Sequence, residues 1–132
     1  MNPEIKSRWI EALRSGEYEQ TKSNLSDGLG YCCLGVLCEI AIEDDVVSKF
    51  IYSDGSVMYG SAYELDGHLL PGPVSVWGDV NHNPSVPRSV AAEILDRYDI
   101  EISISSVTVP LSWLNDHGVP FHVIAEMIEE AL

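Results

Sequence analysis

Apolar residues recur every three or four positions in several parts of the chain, and this spacing is typical of amphipathic helices. The first such segment begins at Pro3 and ends at Gly16, with Ile5, Trp9 and Leu13 on one face. The pattern predicts three further helices: one that opens at Pro87, a short one over Pro110–His117, and a last one with Phe121, Ile124, Ala125, Ile128 and Leu132 on its inner face.

The segment from Cys32 to Ile42 is apolar on nearly every side of a helix. A helix of this kind is stable only when protein surrounds it, so the pattern predicts a buried central helix. Gly35 lowers its helix propensity by about 1 kcal/mol relative to alanine. We expect another element to cross the helix closely at that residue.

Two runs rich in β-branched and aromatic residues, Val46–Tyr52 and Val57–Tyr63, flank the turn sequence at 53–56. They predict an antiparallel hairpin. Isoleucines alternate with polar residues over 100–104, a period of two that predicts a third strand joined to this hairpin.

Glycine, proline and polar residues dominate two other segments, 17–30 and 66–87, which we interpret as loops. In the second, we expect Val74, Val76 and Trp77 to be anchors, with Trp77 partly exposed. The sequence therefore predicts a single α+β domain over residues 1–132. It would hold a buried central helix, an N-terminal helix and a C-terminal helical pair, packed with a small antiparallel sheet made of the hairpin and one strand.

The charge of the chain is strongly negative. It has 21 Asp and Glu against 7 Lys and Arg, a formal net charge of −14. Such a surface repels phosphate backbones and anionic lipids, which argues against nucleic acid and membranes as partners. It suits a protein that docks on a basic protein surface.

Three cysteines lie close together at Cys32, Cys33 and Cys38. An odd number without a distant partner, and an opening without a charged-then-apolar leader, favour a reducing cytosol. A thiol at the start of the central helix, Cys32 or Cys33, is a candidate nucleophile with His117 or His122 as its base, because a helix N-terminus lowers a thiol pKa. The small apolar neighbours favour inert core packing instead, so we assign no catalytic residue.

Metal and nucleotide binding are the other chemistries to weigh. Two of the cysteines, 33 and 38, would face about 140° apart on a helix, so the sequence predicts neither a metal site nor a cofactor. A nucleotide needs donors and stacking groups. Arg8, Gly30 at the end of a glycine turn, Tyr31 and Trp77 are the candidate ligand-binding residues.

Three motifs carry a family resemblance. They are Trp9–Gly16, Gly30–Cys38 with its Tyr-Cys-Cys-Leu-Gly-Val-Leu-Cys block, and Leu114-Asn115-Asp116-His117-Gly118 followed by Phe121 and Ile124-Ala125. With Leu70-Pro71, Trp77-Gly78 and Asn83–Val86 in the middle, the chain resembles a family of small uncharacterised proteins encoded by tailed bacteriophages and prophages. Residues 88–109 match it least.

The resemblance implies a viral accessory protein that acts in the cytoplasm of a host bacterium, and it brings no catalytic residue with it. Our leading hypothesis is therefore a non-catalytic protein that binds or inhibits a host protein through its acidic surface and the segment 66–87. Two alternatives remain open: capture of a nucleotide-derived immune signal, and cysteine-dependent hydrolysis.

Overall fold

The fold combines helices with two small antiparallel sheets, in a computed structural model that describes residues 1–61 and 64–132. The helices found in these residues are α1 (Pro3–Arg14), α2 (Cys33–Glu43), α3 (Gly72–Gly78), α4 (Arg88–Arg97), α5 (Leu111–Asp116) and α6 (Phe121–Ala131). The strands are β1 (Ser48–Ile51), β2 (Val57–Gly60), β3 (Leu65–Asp66), β4 (Ser85–Pro87) and β5 (Thr108–Pro110). The predicted α+β class is confirmed.

Helix α2 lies at the centre, as its composition predicted. Its residues from Cys33 to Cys38 are all buried. Helix α1 packs on α2 and on α6, and the indole Nε1 of the buried Trp9 donates a hydrogen bond to the carbonyl oxygen of Cys33 at 2.9 Å. Helices α1, α2 and α6 thus contribute to one core.

The predicted hairpin is present. Strands β1 and β2 pair antiparallel, with Ser48 opposite Gly60 and Ile51 opposite Val57. The end of the predicted second strand, residues 62 and 63, lies outside the described residues. Strand β3 pairs with the other edge of β2, and β4 pairs with β5 in a separate two-stranded sheet.

The prediction that residues 100–104 form the third strand of the hairpin sheet is wrong. Strand β3 holds that place. The amide of Ile100 donates to the carbonyl of Leu95 at 3.0 Å, which turns the chain back along α4. The three isoleucines pack partly buried against the core. The alternation of apolar and polar residues is explained by this packing, in which the isoleucines face the core although no strand of the described residues pairs with the segment.

The segment 66–87 is more regular than predicted, since it contains α3 and β4. Val74 is buried and Trp77 is half-buried, as expected of anchors. Val76, in contrast, is 83% exposed. Residues two apart on a helix face about 200° apart, so α3 can turn only one of the two valines inward. No helix in residues 1–61 or 64–132 is long and apolar enough to cross a membrane.

Candidate functional site

The three thiols are free and buried in the core. Burial raises the pKa of Cys32 to about 11, outweighing the neighbouring amides of Leu34 and Gly35, which lower it. Burial also raises the pKa values of Cys33 and Cys38 well above the ordinary thiol value. The reactive thiolate is therefore strongly disfavoured at neutral pH.

The two candidate bases lie at the surface, and each is engaged elsewhere. The His117 ring stacks on Trp113 with centroids 3.8 Å apart, and its Nδ1 is 2.8 Å from the Trp113 carbonyl oxygen. The His122 ring contacts Tyr98 edge-on at 5.6 Å. Neither imidazole hydrogen-bonds to a thiol in the described part of the chain, so the structure does not assemble a cysteine–histidine pair.

The side chain of Asn115, a buried residue of α5, lies against the N-terminal end of α2. Its Oδ1 accepts the backbone N–H of Cys33 at 3.2 Å and the Nε2 donor of Gln20 at 2.9 Å. Its Nδ2 donates to the carbonyl oxygen of Thr21 at 2.7 Å. The Gln20 side chain in turn accepts the N–H of Phe121, the first residue of α6.

This network was missed by the sequence reasoning, which assigned no role to Asn115 or Gln20. The available signal was an amide that directly follows Leu114 on the short helix α5. The network joins the segment 17–30 to α2, α5 and α6, and it satisfies helix N-terminal donors that a ligand anion would need. Two motifs that carry the resemblance, Gly30–Cys38 and Leu114–Gly118, meet here in a structural role.

The glycine turn in front of α2 is also closed to anions. The Oδ1 atom of Asp27 accepts the amides of Leu29 at 2.9 Å and Gly30 at 2.8 Å, and the Gly28 amide donates to Ser26 Oγ at 3.2 Å. These amide hydrogen bonds hold the pKa of Asp27 below its usual value. The chain's own carboxylate therefore occupies the place that a phosphate would take.

The four predicted ligand-binding residues do not converge on one pocket in the described part of the chain. Arg8 lies at the C-terminal end of α2, where its guanidinium bonds Asp44 at 2.8 and 3.1 Å. This arginine holds the pKa of Asp44 below its usual value, and the nearby Trp77 side chain lowers it further. Gly30 and Tyr31 precede the N-terminal end of α2, and its 11 residues extend about 16 Å.

Tyr31 has different neighbours from Arg8. Its ring lies edge-on to Tyr18, with centroids 5.4 Å apart, and the Lys49 ammonium lies 5.6 Å from its centroid. Lys49 is paired at 3.0 Å with Glu39, which also accepts the Tyr59 hydroxyl at 2.7 Å. This half-buried cluster is internally satisfied. In the described residues, no group of three or more His, Cys, Asp or Glu side chains is placed to hold a metal ion.

The glycine turn in front of α2 exposes one apolar side chain, that of Leu29. We define the Leu29 turn as residues 27–30. Leu29 at its tip is 89% exposed. The next residue after the turn, Tyr31, is held in place because its amide donates to the Glu19 carbonyl and its carbonyl accepts the Thr21 amide.

Two clefts flank the Leu29 turn. One, of about 330 Å³, is bordered by Glu19 and Thr21. The other, of about 370 Å³, lies between the turn and the β1–β2 hairpin and is bordered by Asp54 and His68. Both clefts include Asp27. The turn therefore presents an apolar tip between two depressions with acidic side chains at their borders.

The fold and this surface define a small acidic α+β domain with a buried cysteine cluster and an exposed apolar turn. The chain belongs to the protein family described as a domain of unknown function (DUF8296), whose family model matches residues 1–132. No curated protein and no solved structure matches the chain.

Proposed function

We propose that this protein acts without catalysis by binding another protein, and that its contact surface is the Leu29 turn with the two clefts beside it. The observation that carries the proposal is the 89% exposure of Leu29 in a turn held by the Asp27 carboxylate.

A leucine in this position is suited to serve as an anchor. Burying a leucine side chain in a partner's pocket contributes about 1.5–3 kcal/mol. Because the Asp27 hydrogen bonds already order the turn, little backbone entropy is lost on association. A rigid apolar tip of this kind inserts into a pocket as hot-spot residues do.

The charge around the turn indicates the partner's chemistry. Glu19, Asp27 and Asp54 border the clefts. The basic side chain nearest in sequence, Lys22, borders neither cleft and has its Nζ beside Gly118, while Arg14 and Lys49 are paired with Glu129 and Glu39. A complementary partner therefore has an apolar pocket with a basic rim. The resemblance to phage and prophage proteins supports a protein of the bacterial host as this partner, met in its cytoplasm.

The segment 66–87 contributes to the same surface at its beginning. The amide of Leu25 donates to the Gly67 carbonyl at 2.7 Å, and His68 Nδ1 lies 2.9 Å from the Ser23 carbonyl oxygen. Gly67 and His68 border the larger cleft. We place the contact at this end of the segment, and the exposed face of α3 with Val76 outside it.

Site-specific photo-cross-linking in bacterial cells tests the proposal. A cross-linking amino acid at position 29 should form one discrete adduct, and the same amino acid at position 76, which is 83% exposed, should not. Glu19→Lys, at an exposed side chain, should weaken the adduct at position 29 by charge repulsion. Adducts that form equally at both positions, only at 76, or at neither would overturn the proposed surface.

A further inference from the structure

Residues 100–105 lie at the surface, outside the helices and strands of the fold. The Ile100 amide bonds Leu95, but no backbone N–H of residues 101–106 donates a hydrogen bond within the described chain. Polar residues at 101, 103 and 105 are exposed, and the isoleucines between them are half-buried. The segment has the alternation of a strand and lacks a strand neighbour.

An open groove runs beside this segment. It measures about 490 Å³ and lies between α4 and residues 100–104. Its border includes Ala92, Leu95, Ile102, Asp96, Glu101 and Arg88. The Arg88 guanidinium reaches the Ser105 carbonyl at 3.4 Å.

Lysine and proline, two devices that often protect an open edge, are missing from this segment. Proteins block such edges with lysine, proline or a bulge. The sequence Ile-Glu-Ile-Ser-Ile-Ser over 100–105 contains neither lysine nor proline, and its single charge is that of Glu101. An incoming extended chain would therefore meet free amides, alternating side chains and a groove beside them.

We propose that residues 100–105 accept an extended, positively charged peptide segment as an added β-strand. The charges favour this occupant. Asp96, Asp99 and Glu101 lie in or next to the groove segment, against the single cation Arg88 on its border. The nearby Arg97 is paired with Glu93, Glu126 and Glu130.

A second copy of this chain is a poorer occupant. The central residue Ile102 would allow a symmetric antiparallel pair, but each copy carries a net charge of −14. The repulsion between two such copies opposes their association, whereas the same charge attracts a basic segment. The inference concerns a different surface from the Leu29 turn and does not depend on it.

A peptide of alternating lysine and valine, seven residues long and blocked at both ends, is the probe. Titrated against the full-length protein in an anisotropy assay, it should bind, and its glutamate–valine counterpart should not. A lysine–valine peptide N-methylated at two neighbouring central residues keeps the charge and loses one N–H donor on each edge, because neighbouring N–H groups of a strand point to opposite sides. It should bind about tenfold more weakly, the effect of losing one or two net hydrogen bonds.

Two variants locate the site on the protein. Ser103→Pro removes a central N–H and should weaken peptide binding about tenfold, while Ser103→Ala and Leu29→Ala should leave it unchanged. In the unmodified protein, the peptide should slow amide hydrogen exchange over 101–105, a measurement that decides the matter if the proline variant misfolds.

Three outcomes would overturn the inference. One is equal binding of the N-methylated peptide, which would indicate attraction to the acidic surface alone. Another is unchanged exchange over residues 101–105 in a saturating peptide solution. The third is a dimer in sedimentation experiments that Ser103→Pro dissociates, which would identify a second copy as the occupant.

Discussion

Replacing Gly35 by alanine tests the packing of the central helix most directly. A Cβ at this position would lie 1.9 Å from the carbonyl oxygen of Leu25, whereas ordinary contacts begin at 3.4 Å. Leu25 is fully buried, its amide bonds the Gly67 carbonyl, and its carbonyl accepts the amide of Cys32 at 3.1 Å. The segment therefore cannot move aside without disturbing the core.

The substitution has one stabilising and two destabilising effects. Alanine improves helix propensity by about 1 kcal/mol. Overpacking costs about 1–3 kcal/mol, and the loss of the hydrogen bond from Cys32 to Leu25 adds about 0.5–1.5 kcal/mol. Because the carbonyl must move by more than an ångström, we take the upper part of these ranges. We expect Gly35→Ala to lower the free energy of unfolding by about 2–3 kcal/mol.

Urea unfolding followed by circular dichroism measures this change. For a 132-residue chain, the expected loss corresponds to a Tm about 6–12 °C lower. The control is Ser7→Ala on the exposed face of α1, where only helix propensity acts and stability should rise by no more than about 0.5 kcal/mol. If Gly35→Ala is as stable as the unmodified protein or more stable, the crossing of α2 by the Leu25 segment is refuted.

Three other substitutions or reactions probe the interior and the turn. Asn115→Ala leaves the Cys33 amide and the Thr21 carbonyl without their partner, which should cost about 2–5 kcal/mol in urea unfolding; a loss below about 1 kcal/mol would contradict the network. Because burial raises the pKa of Cys32 to about 11, iodoacetamide at neutral pH should modify the thiols only after denaturation, and rapid labelling of the folded protein, read by mass spectrometry, would show an accessible thiolate. The amides that lower the pKa of Asp27 make its contribution to stability complete above the unfolded carboxyl pKa of 3.8 and lost as the pH falls through the lower folded value. Asp27→Asn should therefore lower the Tm at pH 7 and reduce the fall in Tm between about pH 5 and pH 3; an unchanged acid dependence would argue against these hydrogen bonds.

Much of the secondary structure was predictable because its determinants are local. Asn2 directly precedes α1, and its Oδ1 accepts the amides of Glu4 and Ile5, two and three residues away. The apolar periodicity of α6 and the all-round apolar character of α2 follow from side chains within one or two turns. The close crossing at Gly35 was also foreseeable, because a buried glycine in a helix indicates the approach of another backbone.

The third strand was not predictable from local pattern. An alternating segment can pair with a neighbour strand or pack alone on a helix. Two features keep residues 100–104 out of the hairpin sheet. The turn after α4, where the Ile100 amide bonds the Leu95 carbonyl, directs the segment along α4, and β3 occupies the edge of β2. Periodicity describes which side of a segment is apolar and contains no information about which backbone lies beside it.

The features of the candidate site also differ in whether local sequence or tertiary structure determines them. Sequence alone determined that the chain is acidic, that its cysteines lie in an apolar block and that a glycine turn precedes α2. Only tertiary structure decided that the helix donor of Cys33 is taken by Asn115, 82 residues away, and that the Asp27 carboxylate fills the turn. Hydrogen-bond partners far apart along the chain are brought together by packing, so whether a donor is free for a ligand depends on the whole fold.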